Sequence, residues 1–229
     1  MSQCRHPRER HPAMAFPDGM TTELATFPDR AARSRFVARR FAPYLGDSVL
    51  DVGCYEAPLR ALLPGVRYFG VDIAGSPDLT LDLDTGNALP FEGASWSTVI
   101  CIEVLEHLEH LHGMFDELVR VSSRHVIVSL PNCWRDARVP LGRGRGHIAH
   151  YGLPAQAPVD RHRWFFSFTE ACDFVHAKAA AHGLEIVELF GTEMHRGALL
   201  RALRRVRHPG ARYFNRYAQT LWAVLRKRA

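Results

Sequence analysis

Apolar positions along this chain fall into short β-like runs separated by stretches of helical period. Asp29 is placed to cap a helix running to about Tyr44, with Phe36, Val37, Phe41 and Leu45 on its apolar face. Val49, Leu50 and Val52 predict a buried strand over residues 48–53, followed by a helix over about 56–63. Further strands are expected at 67–72, 79–82 and about 97–102. Leu111, Met114, Phe115, Leu118 and Val121 recur at helical spacing, and 125–130 reads as a fifth strand stopped by Pro131 and Asn132. Residues 133–166 break the rhythm. A patternless stretch of that length inside one domain reads as a lid or binding loop. Ser167 and Glu170 then form a capping-box pair that starts a helix to His182, closed by Gly183, with strand six at 184–190.

The C-terminal segment allows two readings. Leu199, Leu200, Leu203 and Val206 give a helix an apolar stripe, with Arg201, Arg204 and Arg205 opposite. The stripe either packs on the sheet, leaving a solvated basic face, or lies on an anionic membrane surface. Residues 219–225 are β-rich and read as a closing strand. Residues 1–27, rich in Pro, Arg and His without periodicity, read as an extension lacking fixed structure.

Four strands end in an acid: Asp51, Asp72, the pair Asp82 and Asp84, and Glu103. Core packing alone does not favour carboxylates there. The carboxyl edge of an open α/β sheet is where ligands bind, so the pattern reads as a binding edge. Gly53 lets the chain turn sharply after Asp51. The 21 residues from Asp51 to Asp72 match one strand–helix–strand unit, and an acid at that point suits a ribose hydroxyl pair. A capping Asp in an ordinary turn is the plainer alternative for Asp51 alone.

The ordered set Asp51-Val-Gly53-Cys54, Gly70-Val-Asp72, Asp82-Leu-Asp84, Leu89-Pro-Phe91 and Glu103-Val-Leu-Glu106-His107 resembles the class I S-adenosylmethionine-dependent methyltransferases. More narrowly it resembles their bacterial small-molecule, type 11-like members, over residues 45–132. The chain departs from the family at Tyr55 and Ala57, where glycines are usual, and at Ser97, where Asp is common. The resemblance implies a single-domain, Rossmann-like, doubly wound α/β sheet of seven strands, mostly parallel with an antiparallel last strand. It implies S-adenosyl-L-methionine as cofactor, with Asp51, Gly53 and Cys54 beside the methionine portion. Asp72 and Ile73 would then serve the ribose, Asp82 and Leu83 the adenine (Asp84 competing for that role), and Glu103 and Val104 the transferring-methyl end. A nicotinamide dehydrogenase needs three spaced glycines to reach a pyrophosphate; here those positions are Gly53, Tyr55 and Pro58.

Charge sharpens the picture at one end. Ten of the 29 Lys and Arg lie between Arg196 and Arg228 with no acid among them, leaving 19 against 24 acids in the preceding chain. No apolar run approaches the ~20 residues that span a bilayer, and the N-terminus lacks an apolar leader core, so a cytoplasmic protein is expected. Cys4, Cys54, Cys101, Cys133 and Cys172 are dispersed and read as reduced thiols, with Cys54 and Cys101 as small buried hydrophobes.

For proton transfer the candidates are His107, one turn past Glu103, and His162, with His147, His150 and Asp160 as lid alternatives. His107, His110 and His112 do not stack on one helix face, so no metal site is expected from them. Tyr151, Arg161 and Trp164 are candidate acceptor contacts. Their mix of aromatic and cationic groups suits a small-molecule, glycan or lipid-linked acceptor, methylated at oxygen. An RNA methyltransferase gripping phosphates with the basic segment is the alternative, though Glu103-Val104-Leu105 stands where an N-P-P-Y-like segment would be. A non-catalytic cofactor-binding protein of the same fold is the other.

Overall fold

The structure, a computed structural model, describes residues 19–158 and 160–228. Its elements are strands β1 (Thr21–Leu24), β2 (Ser48–Val52), β3 (Arg67–Asp72), β4 (Leu79–Thr80), β5 (Trp96–Ile102), β6 (Ser122–Pro131), β7 (Leu184–Glu193) and β8 (Ala218–Lys227). The helices are α1 (Arg30–Arg40), α2 (Leu111–Val121), α3 (Cys133–Arg143), α4 (Phe168–Ala181), α5 (Ala198–Arg207) and α6 (Ala211–Tyr217). The strands form one sheet in the order β1-β7-β8-β6-β5-β2-β3-β4. All neighbours run parallel except β8, which is antiparallel to both β6 and β7.

The sheet is packed on both sides because alternate side chains of each strand leave on opposite faces. Val99, Cys101, Val126 and Val128 point into a core shared with α2, α4 and α6. Ile100, Ile127, Trp222 and Val224 point the other way, onto Phe36 and Val37 of α1 and onto Phe41. Trp222 is fully buried there, ringed by Phe27, Phe36 and Phe41. Such alternation commits every strand to its register, since a one-residue slip would exchange the two cores.

The structure corrects the sequence reading in several places. Eight strands stand where seven were expected. The extra one, β1, falls within residues 1–27, and its parallel pairing with β7 orders Thr21–Leu24; residues 1–18 lie outside the described residues. The expected helix at 56–63 is only a 3₁₀ turn over Arg60–Leu62. Helix α1 is capped by Asp29, whose Oδ1 accepts the Ala32 N–H at 2.6 Å, but it stops at Arg40 and passes into a 3₁₀ turn over Ala42–Tyr44. Pro43 explains this, because it has no N–H to continue the α-helical ladder onto Arg39 O. Residues 133–143 form α3, capped by Asn132, so the irregular lid begins only at Gly144. The Ser167–Glu170 capping box forms in full.

Candidate functional site

A cavity of about 740 Å³ opens at the carboxyl ends of β2, β3 and β5. Asp51, Gly53, Cys54, Asp72, Ile73, Asp82, Leu83, Glu103, Val104 and His107 all line it. Every residue expected at the cofactor is therefore at one place, carried there by parallel strands that end together.

At its first end the acids differ in environment. Asp51 is buried, and its carboxylate accepts the Tyr68 hydroxyl at 2.5 Å. Burial pushes its pKa up to about 7, against the lowering effect of that hydrogen bond. It therefore sits poised to ionise when a cation arrives. The Asp72 carboxylate is held by two backbone amides, Tyr55 N–H at 2.8 Å and Ala74 N–H at 3.0 Å, which fix its rotamer at the rim. Asp82 lines the cavity, whereas Asp84 accepts the Glu109 and His110 amides ahead of α2. Of the two, Asp82 is the one that lines the cavity. Cys54 is buried and its thiol is pushed up to about 12, chiefly by burial, so it stays neutral. A Cβ on Gly53 would come within 2.2 Å of Val104, which ties the turn closely to the end of β5.

Tyr55 and Ala57, the departures from the family pattern, have φ of +50° and +49°. Both occupy the left-handed region that glycine enters without cost. The Tyr55 ring stacks against the Arg30 guanidinium, 4.3 Å from its centroid, and both residues line the cavity.

The second end is built by the lid. Its chain folds back over residues 104–108: Arg163 N–H donates to Glu106 O at 2.8 Å, and the Trp164 indole donates to Leu108 O at 2.7 Å. His107 Nδ1 lies 2.8 Å from Asp160 and 3.2 Å from Arg161 O, both acceptors, which assigns its proton to Nδ1 and leaves Nε2 bare. Tyr151 donates its hydroxyl to Trp164 O, so His162 Nδ1, 3.0 Å from that hydroxyl, is a donor too. The His107 and His162 rings meet at 4.5 Å, and His150 stacks on His162 at 4.4 Å. Burial and the neighbouring imidazoles pull His162 down to about 3, and burial lowers His107. Both are neutral bases at neutral pH.

Glu106 completes the group, and the sequence reading missed it. The side chain is buried, its Oε2 has no hydrogen-bond partner, and burial with the nearby Glu103 carboxylate raises its pKa well above normal. One ligand atom from each of Glu106, His107 and His162 falls within 4.8 Å of the others. Two bare imidazole nitrogens and an unsatisfied carboxyl oxygen, which would give up its proton to a metal, form a donor set suited to a divalent cation. This trio is distinct from His107, His110 and His112; His112 instead packs between Trp164 and Phe174. Glu103, at φ +55°, turns its carboxylate inward to accept the Ser129 hydroxyl at 3.1 Å, with Arg33 3.9 Å away.

Arg161 lines the cavity as expected, joined by Arg30, Arg33 and Arg163. Tyr151 and Trp164 do not line the cavity; their polar atoms dock the lid, Tyr151 on Trp164 O and Cys133, and Trp164 on Leu108 O. Arg30 and Arg33 share a face of α1 at i, i+3, a spacing that the apolar pattern of that helix left unread.

An open, mostly parallel sheet with one antiparallel strand, and acids on successive strand ends around a single cleft, decides the architecture. It is the class I methyltransferase fold. The chain resembles the small RNA methyltransferase HEN1 with a TM-score of 0.57 at 17% identity, covering 93% of this chain and 27% of that one. It resembles an S-adenosylmethionine-dependent methyltransferase from Archaeoglobus fulgidus at 0.56 and 16% identity, over 87% and 95% of the two chains. It also resembles the magnesium protoporphyrin IX methyltransferase of Synechocystis PCC 6803, solved with S-adenosylhomocysteine, at 0.52 and 19% identity over 85% and 82%. At such identities the likeness is one of fold. No protein-family model and no curated protein sequence matches the chain.

Proposed function

We propose that the protein is an S-adenosylmethionine-dependent methyltransferase acting on a hydroxyl oxygen of a small-molecule, glycan or lipid-linked acceptor. The observation that carries this reading is the joining, in one cavity, of an acid-lined end and the neutral base His107, which is backed by His162 and Glu106. The residues fit the cofactor: Asp51 is a buried acid suited to its ammonium, Asp72 a rim carboxylate suited to the ribose hydroxyls, and Ile73 an exposed apolar surface beside it. When bound, the cofactor supplies a methyl group already activated by positive sulfur.

The chain's own work is then positioning and proton removal. His107, oriented through Nδ1 by Asp160, presents a bare Nε2 to an acceptor hydroxyl. A divalent cation held by Glu106, His107 Nε2 and His162 would take that nitrogen out of proton transfer and would instead lower the pKa of a hydroxyl bound to the metal. The lid covers this end and restricts water, and Arg161 and Arg163 give it positive charge for an anionic acceptor.

An RNA acceptor is the second reading, favoured by the acid-free run of ten basic residues after Glu193. Incubation with methyl-labelled cofactor, acceptor panels of glycans, polyprenyl-linked sugars and RNA, and a chelator arm tests both. Label in a glycan or lipid fraction is the expected result; its loss on chelation assigns Glu106, His107 and His162 to a cation, and its persistence assigns His107 to direct proton removal. Label confined to RNA would replace the acceptor class, and cofactor binding without transfer to any hydroxyl would return the binding-protein reading.

A further inference from the structure

Helix α5 is built inside out. Leu199, Leu203 and Val206, at i, i+4 and i+7, share one face and are 75%, 59% and 82% exposed, with Leu200 43% exposed beside them. None of the helix's residues is buried. The expected packing of that stripe on the sheet does not occur. The basic face turns inward instead: Arg204 stacks on Tyr217 at 4.5 Å and Arg205 on Tyr213 at 4.2 Å.

Beside this helix lies a second cavity of about 410 Å³, separate from the cofactor cleft. Arg135, Arg138, Arg196, Arg204 and Arg216 line it, against two acids, Asp136 and Glu193. Both acids are engaged, Asp136 by Arg135, and Glu193 by the Tyr213 hydroxyl and Arg201. Among the described residues Arg138, Arg204 and Arg216 have no acidic partner, and the buried Nε of Arg138 and of Arg216 has no hydrogen-bond acceptor. Orphaned guanidinium N–H groups in a basic hollow are a binding site for an anion with several acceptor oxygens. On α3, Trp134 and Leu141 share the helix face of Arg138 by their spacing, and both are exposed.

We propose that α5 and this face of α3 seat the protein on an anionic bilayer, with the arginine-lined cavity taking a lipid phosphate. The apolar stripe would enter the headgroup–acyl boundary, and Trp134 is suited to the same depth. A second copy of the chain would bring arginine against arginine, and an RNA backbone would leave the leucines in water. Only an anionic amphiphile matches both features. The cavity follows the carboxyl ends of β6 and β7, so it lies along the same sheet edge as the cofactor cleft. A bilayer held there would bring a lipid-linked acceptor to that edge. The membrane seat stands whether or not methyl transfer is the activity.

The test is flotation of the full chain with vesicles of phosphatidylcholine alone and of phosphatidylcholine mixed with phosphatidylglycerol. Binding to the mixed vesicles only, weakened by salt, is expected. Leu199→Ser with Leu203→Ser and Val206→Ser, all at exposed positions, should weaken it about tenfold or more. Arg138→Gln with Arg216→Gln should remove the preference for phosphatidylglycerol, with circular dichroism confirming the fold. Failure to float with anionic vesicles overturns the proposal. So does concentration-dependent dimerisation, seen by light scattering and abolished by the serine variant, or binding to RNA that the serine variant leaves intact.

Discussion

The two ends of the 740 Å³ cleft are made by different means. The cofactor end is made of strand termini: Asp51, Asp72 and Asp82 arrive there because parallel strands stop at a common edge. The base end is made of one strand terminus and a returning loop, and Glu106, His107 and His162 meet only because the lid docks on Leu108 and Glu106. The first is a consequence of topology, the second of tertiary hydrogen bonds. Damage to the first should abolish binding of the cofactor. Damage to the second should spare binding and remove chemistry.

The sharpest test of that division is at the base end. Glu106→Gln or His162→Ala should lower turnover by about 10²–10⁴-fold with cofactor affinity unchanged, measured as kcat beside calorimetric titration. Equal loss of affinity would show that the two ends are one unit. At the cofactor end, Asp72→Ala should weaken S-adenosylhomocysteine binding by about 10- to 10²-fold, since a charged hydrogen-bonding partner is worth roughly 1.5–3 kcal/mol.

Asp51 offers a pH test of the same end. Its pKa of about 7 in the free protein means that binding an ammonium must first release a proton below that pH. Affinity should therefore fall as pH drops from 7 to 5, by up to about tenfold per unit, and level off above 8. Asp51→Asn should flatten this profile. The sign for stability is the reverse. Because the folded pKa is raised, the neutral acid favours folding at low pH and that advantage is lost as pH rises through 7. In the free protein Asp51→Asn should thus raise Tm at pH 8. The smallest effect is expected at the turn. Ala57→Gly should stabilise by about 1 kcal/mol or less, read by thermal unfolding, by relieving a left-handed φ of +49°.

How much was legible follows from the same division. The strands with uninterrupted apolar runs, β2, β5 and β6, were readable because their burial on both faces leaves no competing pattern. So were the acids at their ends and the Ser167 capping box. Strand β1 was not, because the polar residues of Thr21–Leu24 become a strand only through pairing with β7. Helix α5 showed its amphipathic period but not its direction, which depends on Tyr213 and Tyr217 receiving its arginines. Glu106 went unread because nothing local distinguishes a buried glutamate from an exposed one. The group it joins is completed by His162, 56 residues on in the chain.

The account stands or falls on the separation of binding from chemistry in one cleft. The direct measurement is calorimetric titration of S-adenosylhomocysteine into the wild-type chain, Asp72→Ala and Glu106→Gln. The account predicts affinity on the order of micromolar for the wild type, the same for Glu106→Gln, and binding about tenfold or more weaker in Asp72→Ala. No binding to the wild type, or an affinity in Asp72→Ala equal to that of the wild type, would contradict it.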